Sequence, residues 1–326
     1  MKKSLKIIIV FVAIMLAIIG AVVGFSNLNK NNKKVSIITT NFPAYDFARA
    51  VAGEEADIKM LIKPGAEIHD FEPTPQDIID IKNSKMFIYT GGESDEWIED
   101  VLDDINTNDT KLFKMMDAVE AVEEETVDGM EHEHEHEDGN EEGQEHEKEE
   151  VEYDEHVWTS LKNAQKIVGN IKDELVKISP ENKNIFESNA EKYVNKLAKI
   201  EQEFQDVVKN GSRKTIVFGD RFPLRYFVDD YGLSYFAAFP GCSGQTEASS
   251  KTVAFLVDKI KSEKIPVVFK IEMSSGKIAD TIANETGAKV LTFNSAHNIS
   301  ADDFKNGMTY AEIMEKNVKA LEEALR

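Results

Sequence analysis

Residues 180–209 read PENKNIFESNAEKYVNKLAKIEQEFQDVVK, and this stretch decides the fold. Apolar side chains at Ile185, Phe186, Ala190, Tyr193, Val194, Leu197, Ile200, Phe204 and Val207 recur at steps of three and four, the spacing of one helix face. Asn210-Gly211 stops the run. About 30 residues at 1.5 Å each make a rod of roughly 45 Å, long for a helix inside a globular domain. The run spans only about four heptads and keeps no sustained a/d seam, which counts against a coiled coil. It reads instead as a backbone shared by two lobes.

Working outward, both flanks alternate between strand and helix. Upstream, Val35–Thr40 reads as a buried strand, Tyr45–Val51 as a helix and Ile58–Ile62 as a strand stopped by Pro64-Gly65. Pro75–Ile81 opens another helix and Met86–Tyr89 a third strand. Downstream, strands are expected at Thr215–Phe218, Leu233–Ala238, Val267–Ile271 and Lys289–Phe293. Helices are expected at Leu224–Tyr231, Lys251–Glu263, Lys277–Thr286 and Tyr310–Leu325. Such alternation predicts parallel sheets with crossover helices. The expected fold is therefore α/β: two lobes with mainly parallel sheets and flanking helices, joined by one long linker helix. The N-terminal lobe covers 34–179, the linker 180–210 and the C-terminal lobe 211–326. Ligands of open α/β sheets bind outside the carboxyl ends of the strands, and in two lobes those ends can face each other across a cleft.

The chain begins with Lys2, Lys3 and Lys6 ahead of an apolar run, Ile7 to Phe25. Its length, about 28 Å as a helix, approaches the hydrocarbon thickness of a bilayer. A cleaved signal usually has a shorter core and a small-residue cleavage site, and AVVGFS at 21–26 is a poor one. Residues 1–33 read as a signal anchor in preference to a cleaved signal peptide. Lys30, Lys33 and Lys34 weaken the charge bias that would orient it. Either way the body is expected outside the cytoplasm, held at the cell surface or secreted. No cysteine follows the apolar run, so no lipid anchor is expected.

The 326 residues are 41% apolar and 30% charged, enough for a packed core. Acidic residues outnumber basic ones 60 to 38, which argues against binding nucleic acid. The one cysteine, Cys242, excludes an intrachain disulfide, a four-cysteine zinc site and an iron–sulfur cluster. Residues 119–155 hold 19 acidic residues and one lysine, so of the chain's net −22 only −4 lies elsewhere. Four of the seven histidines, His132, His134, His136 and His146, sit in the same segment. Alternating imidazole and carboxylate at 131–138 is a composition for loose, unselective capture of transition metals. The remaining histidines, His69, His156 and His297, each stand at the end of an expected element, where a sheet's ligand groups belong. Neutral imidazole suits zinc and most first-row metals.

The segments PGAEIHDFEPTPQDI (64–78), DEHVWTSLKNA (154–164), VFGDRFPLRYFVDDYGL (217–233) and FKIEMSSGKIADTIANETGAKVL (269–291) resemble the zinc- and manganese-binding proteins of ABC importers. The likeness runs over nearly all of the chain after the apolar run. It implies two α/β lobes bridged by a long helix, one metal ion between them, and a His/acid-rich loop ahead of the second ligand histidine. It also implies His69 and His156 as N-lobe ligands. In the C-lobe the usual imidazole or carboxylate position falls on Arg221, which cannot ligate. A slip of one residue would bring Asp220 there. The usual aspartate of the last exit loop falls near Asn294 or Ser295, which makes His297 the expected third ligand. Asp220, Cys242 as a thiolate, or water would complete the shell. Glu272 is expected behind the ligands, accepting a hydrogen bond from an imidazole.

The function expected is a solute-binding protein that captures Zn2+ and delivers it to an ABC permease in the membrane. The alternatives are a manganese-specific protein of the same type and a surface metal buffer or adhesin. Imidazole-rich sites favour zinc over manganese. The one HExxH match, His132–His136, is part of the alternating His/acid run, and no GxSxG motif is present, so a metallohydrolase is not expected. The protein is expected to act as a monomer and to catalyse nothing.

Overall fold

The computed structural model describes residues 34–66, 71–102, 109–130, 152–241, 243 and 247–326. Residues 1–33, read above as a signal anchor, and His69, Cys242 and the His-rich part of the acidic loop lie outside the described residues. By compactness the chain divides into residues 1–34 and a unit of residues 35–326, which holds both sheets.

The first sheet holds β1 (Val35–Thr39), β2 (Ala56–Met60), β3 (Met86–Tyr89) and β4 (Lys111–Lys114) in the order β2-β1-β3-β4. The second holds β5 (Thr215–Phe222), β6 (Ser234–Pro240), β7 (Val267–Lys270) and β8 (Lys289–Thr292) in the order β6-β5-β7-β8. Every pairing is parallel. The two lobes thus repeat one topology, in which the chain crosses over between the first and third strands. In such sheets a crevice opens at that switch point, outside the carboxyl ends.

Crossover helices cover the sheets: α1 (Phe42–Ala52), α2 (Pro75–Asn83) and α3 (Trp97–Leu102) in the first lobe, followed by α4 (Leu161–Ile178). The linker is α5 (Lys183–Asn210), 28 residues after a 3-10 turn at Pro180–Asn182. The second lobe adds α6 (Arg225–Tyr231), α7 (Ser250–Glu263), α8 (Lys277–Thr286), α9 (Ala301–Lys305) and α10 (Tyr310–Leu325). Their starts are written in the sequence. Thr74 and Asp77 form a capping box ahead of α2, with Pro75 in its first turn, and Thr309 and Glu312 do the same for α10.

Strand side chains alternate between two cores. In β1, Ile37 joins the core that faces the linker and Ile38 a smaller one with Ile81, Phe87 and Ile98 on the outer face. The inner core runs without a break from Val35 through Phe186 and Phe204 of α5 to Leu325. A buried polar knot reinforces it. Asp46 of α1 accepts from Tyr193 Oη of α5 at 2.6 Å and from the Tyr310 amide of α10 at 3.0 Å. One carboxylate therefore ties the first lobe, the linker and the second lobe together. Helix α5 packs on α1, α4 and α10, the role the periodicity of 180–209 implied.

Four elements were not legible in the sequence: α3, β4, α4 and α9. Strand β5 is also longer than expected. It continues past a register shift between Phe218 and Arg221 to Phe222, so Asp220 and Arg221 lie at the strand's carboxyl end. Among the described residues, no helix is long and apolar enough to cross a membrane.

Candidate metal site

His156 sits on the turn between the acidic segment and α4 and is fully buried. Its amide donates to Asp154 Oδ1 at 2.7 Å, and its Nδ1 lies 3.1 Å from the same oxygen. With the Nδ1 proton donated to Asp154, the lone pair is on Nε2, the tautomer a metal needs. Nε2 is buried and has no hydrogen-bond partner. A buried imidazole nitrogen left unpaired costs free energy unless something arrives to use it. Burial alone would lower the His156 pKa. The Asp154 charge and hydrogen bond, with Glu155 and Glu124 nearby, outweigh that and raise it above 6.5.

His297 belongs to the loop after β8. Its ring centroid lies 5.1 Å from that of His156, with the two planes at 87°. Trp158 stands beside both rings, at 5.5 and 4.8 Å. The Trp158 Nε1 donates to the Ser295 carbonyl at 2.9 Å, and Tyr310 Oη donates to the Trp158 carbonyl at 2.6 Å. These bonds join the turn carrying His156 to the loop carrying His297.

That loop is held from below. Glu272, just past β7, accepts from the Ser295 amide at 2.6 Å and from Ser295 Oγ at 2.7 Å. Ser295 Oγ in turn accepts from the His297 amide at 3.2 Å. Burial pushes the Glu272 carboxyl above its ordinary value, against the pull of these donors. Between Ser295 and His297 the backbone turns through Ala296 at φ 59°, a left-handed conformation that a non-glycine residue adopts at a cost. Glu272 was expected to take a hydrogen bond from an imidazole; its oxygens instead hold the main chain of the loop, at Ser295 and at the His297 amide.

The rings open onto a cavity of about 370 Å³ lined by His156, Asp220, Arg221, Glu272, His297 and Asn298, among others. The cavity thus lies at the carboxyl ends of β5 and β7, the switch point of the second sheet. Asp220 accepts from the Arg221 amide at 2.9 Å and from the Ile271 amide at 3.4 Å. The Arg221 guanidinium donates to the Ser243 carbonyl at 3.2 Å. Gly241 approaches His156 so closely that a Cβ there would stand 3.3 Å from the ring's Cε1.

His69 lies outside the described residues, but the chain leading to it is fastened at the cavity. Asn298 Nδ2 donates to the Lys63 and Ala66 carbonyls at 3.1 and 2.8 Å, and Gly65 N donates to the Ile299 carbonyl at 2.8 Å. Gly65 turns there at φ 83°. The structure therefore brings His156, His297 and Asp220 to one cavity and fastens Ala66 beside it. Among the described residues, no three His, Cys, Asp or Glu side chains group closely enough to hold a metal ion. Two supports escaped sequence reasoning: Asp154 and Ser295. The signal for Asp154 was present, a carboxylate two residues before His156 in one short motif.

The acidic loop is rooted at the same place. Glu123 pairs with Tyr153 as an antiparallel bridge, and the Asp154 amide donates to the Val122 carbonyl at 2.9 Å. The root lies across the second lobe: Glu124 Oε1 accepts from Gly241 N at 3.0 Å, Arg225 donates to Glu125, and Tyr226 Oη donates to the Asp154 carbonyl at 2.7 Å.

Two parallel α/β lobes on one long helix, with a cavity at the carboxyl ends of the strands, are the architecture of the two-lobed solute-binding class. The family described as ZnuA, zinc-uptake complex component A periplasmic, matches residues 37–324, and the chain belongs to it. It is 32% identical over 292 residues to the high-affinity zinc uptake system protein ZnuA of Bacillus subtilis (strain 168), covering 90% of this chain and 88% of that one. It is 31% identical over 304 residues to the zinc-binding lipoprotein AdcA of Streptococcus pneumoniae (strain ATCC BAA-255 / R6). That match covers 92% of this chain but spans only 58% of the pneumococcal protein's length. The crystal structure of the Zn(II)-bound ZnuA-like domain of Streptococcus pneumoniae AdcA superimposes with a TM-score of 0.72 at 28% identity, over 90% of this chain and 99% of that domain. The pneumococcal relative is named a lipoprotein, which is at odds with the expectation of no lipid anchor; in this chain the one cysteine is Cys242.

Proposed function

We propose that this protein captures Zn2+ outside the cytoplasm in the cleft between its lobes and hands it to an ABC permease in the membrane. It catalyses no reaction. The observation that carries the reading is the buried, unpartnered Nε2 of His156, with its tautomer fixed by Asp154 and His297 facing it. His69, His156 and His297 are the proposed ligands, with Asp220, Cys242 or water in the fourth position. The names of the relatives support zinc over manganese, as does the count of imidazoles. The His/acid-rich segment gathers metal near the cleft but is not the tight site. The protein acts as a monomer, and its apolar run at residues 7–25 holds it at the membrane or directs its secretion.

Calorimetric titration with Zn2+ and with Mn2+ tests this. One tight zinc site per chain is expected, with manganese weaker, and it should survive deletion of residues 131–147. Tighter manganese binding, or loss of the site with the loop, overturns the reading. Zinc should also raise the melting temperature, since a ligand at about 100 times its Kd stabilises the folded state by about 2.7 kcal/mol.

A further inference from the structure

We infer that Glu272 is a positioning residue for zinc capture, acting on the metal only through His297. The inference rests on the proposed role of His297 as a ligand. Glu272 lies just beyond β7, on a different element from the loop it grips. Both carboxylate oxygens are used on one residue of that loop: Oε2 accepts from the Ser295 amide at 2.6 Å and Oε1 from its hydroxyl at 2.7 Å. The hydroxyl then has its lone pairs for the His297 amide at 3.2 Å. The carboxylate thus fixes the start of a three-residue turn whose middle residue, Ala296, is held in the left-handed region. A turn of that kind persists only when its surroundings over-determine it. The other side of the same turn is fixed by Trp158, whose indole donates to the Ser295 carbonyl at 2.9 Å. Ser295 is therefore clamped at its amide, hydroxyl and carbonyl, and His297 is the residue this clamp presents to the cavity.

This differs from the usual support of a metal ligand, in which a carboxylate bonds the imidazole itself. At His297 the support acts on the main chain, at Ser295 two residues away and at the His297 amide itself. Supports behind a ligand are worth about 10–100-fold in metal affinity. Because the ring is reached indirectly, the lower end applies.

The test is a double-mutant cycle on zinc affinity, measured by chelator competition on the full chain, with the zinc-free melting temperature recorded for each variant. Glu272→Gln keeps the shape but replaces one acceptor by a donor, and about a tenfold loss of zinc affinity is expected. Ser295→Ala keeps the amide bond to Glu272 and removes the hydroxyl relay. It should give a smaller loss in the same direction, and it stands in if Glu272→Gln does not fold. In a His297→Ala background, Glu272→Gln should cost nothing further, because its effect passes through the missing ring. The visible spectrum of the Co2+ form should change in Glu272→Gln and stay unchanged when that substitution is added to His297→Ala. An equal loss in both backgrounds means that Glu272 acts elsewhere and overturns the inference. So does unchanged zinc affinity in Glu272→Gln where His297→Ala loses its own. Unchanged affinity in His297→Ala overturns instead the ligand role on which the inference rests.

Discussion

His156 and His297 face each other across the cleft, yet the chain holds them by different handles. His156 is held by its ring: Asp154 bonds Nδ1, and the same oxygen takes the residue's own amide. What Glu272 and Ser295 grip is the main chain that carries His297. A ring-held imidazole has its tautomer, basicity and direction set together. A backbone-held one has its position set first. The first lobe therefore supplies a prepared nitrogen, and the second supplies a prepared loop.

The comparison breaks most visibly if the two histidines prove equivalent. Structural zinc sites bind with about 10–16 kcal/mol shared over four ligands, so a lost ligand of full strength is worth about a hundredfold in Kd or more. His156→Ala should reach that loss in chelator competition, while His297→Ala should lose at least about tenfold. Equal losses would mean that the mode of support does not matter.

The next effect sharpens the ring-held side. Asp154→Asn should weaken zinc binding by about 10–100-fold and also move its pH profile. In the native protein Asp154 raises the His156 pKa above 6.5 despite burial. Protonated imidazole cannot bind metal, so native affinity should fall as pH drops through a window above 6.5. Without the Asp154 charge, burial lowers the pKa and the window should move down. Titration by intrinsic fluorescence at several pH values follows this, and an unmoved window would dissociate Asp154 from the tautomer of His156.

The smallest effect on zinc binding concerns Asp95, which accepts from the Thr90 and Gly91 amides at 2.7 and 3.0 Å. Burial pushes its pKa up to about 6, with the Glu155 charge adding to the rise. A carboxyl with a raised native pKa contributes stability that is present below its unfolded value near 3.8 and is lost as pH rises through about 6. The stability of the zinc-free native protein relative to Asp95→Asn should therefore grow as pH falls from 7 to 4, while zinc affinity at pH 7.5 stays unchanged. Denaturant melts at stepped pH read the difference, and a flat difference removes Asp95 from the linkage.

The linker was the most legible part of the sequence, because an unbroken 3.6-residue apolar period over 28 residues admits few other readings. Buried parallel strands such as Met86–Tyr89 were legible as short apolar runs. Strand β4, KLFK, was not, since two apolar residues between flanking lysines at a sheet edge carry too little apolar signal. The carboxyl end of β5 was missed because Gly219, Asp220 and Arg221 look like a loop. The sheet nonetheless continues through them by a register shift. Gly219 is needed there, for a Cβ would meet the Ala279 backbone of α8 at 2.6–2.7 Å. At the site, His156 was legible from its short motif and His297 from its place after the last strand. The link from Glu272 through Ser295 to His297 was not, because it joins residues 23 apart on two loops that only the parallel pairing of β7 and β8 brings together.

A crystal of the zinc-loaded protein, with a map from anomalous scattering at the zinc edge, tests the central claim most directly. A single strong peak is expected in the cavity between the lobes, about 2.0–2.1 Å from Nε2 of His156 and at ligand distance from His297. A peak more than about 4 Å from the His156 ring nitrogens, far outside coordination range, would contradict the account.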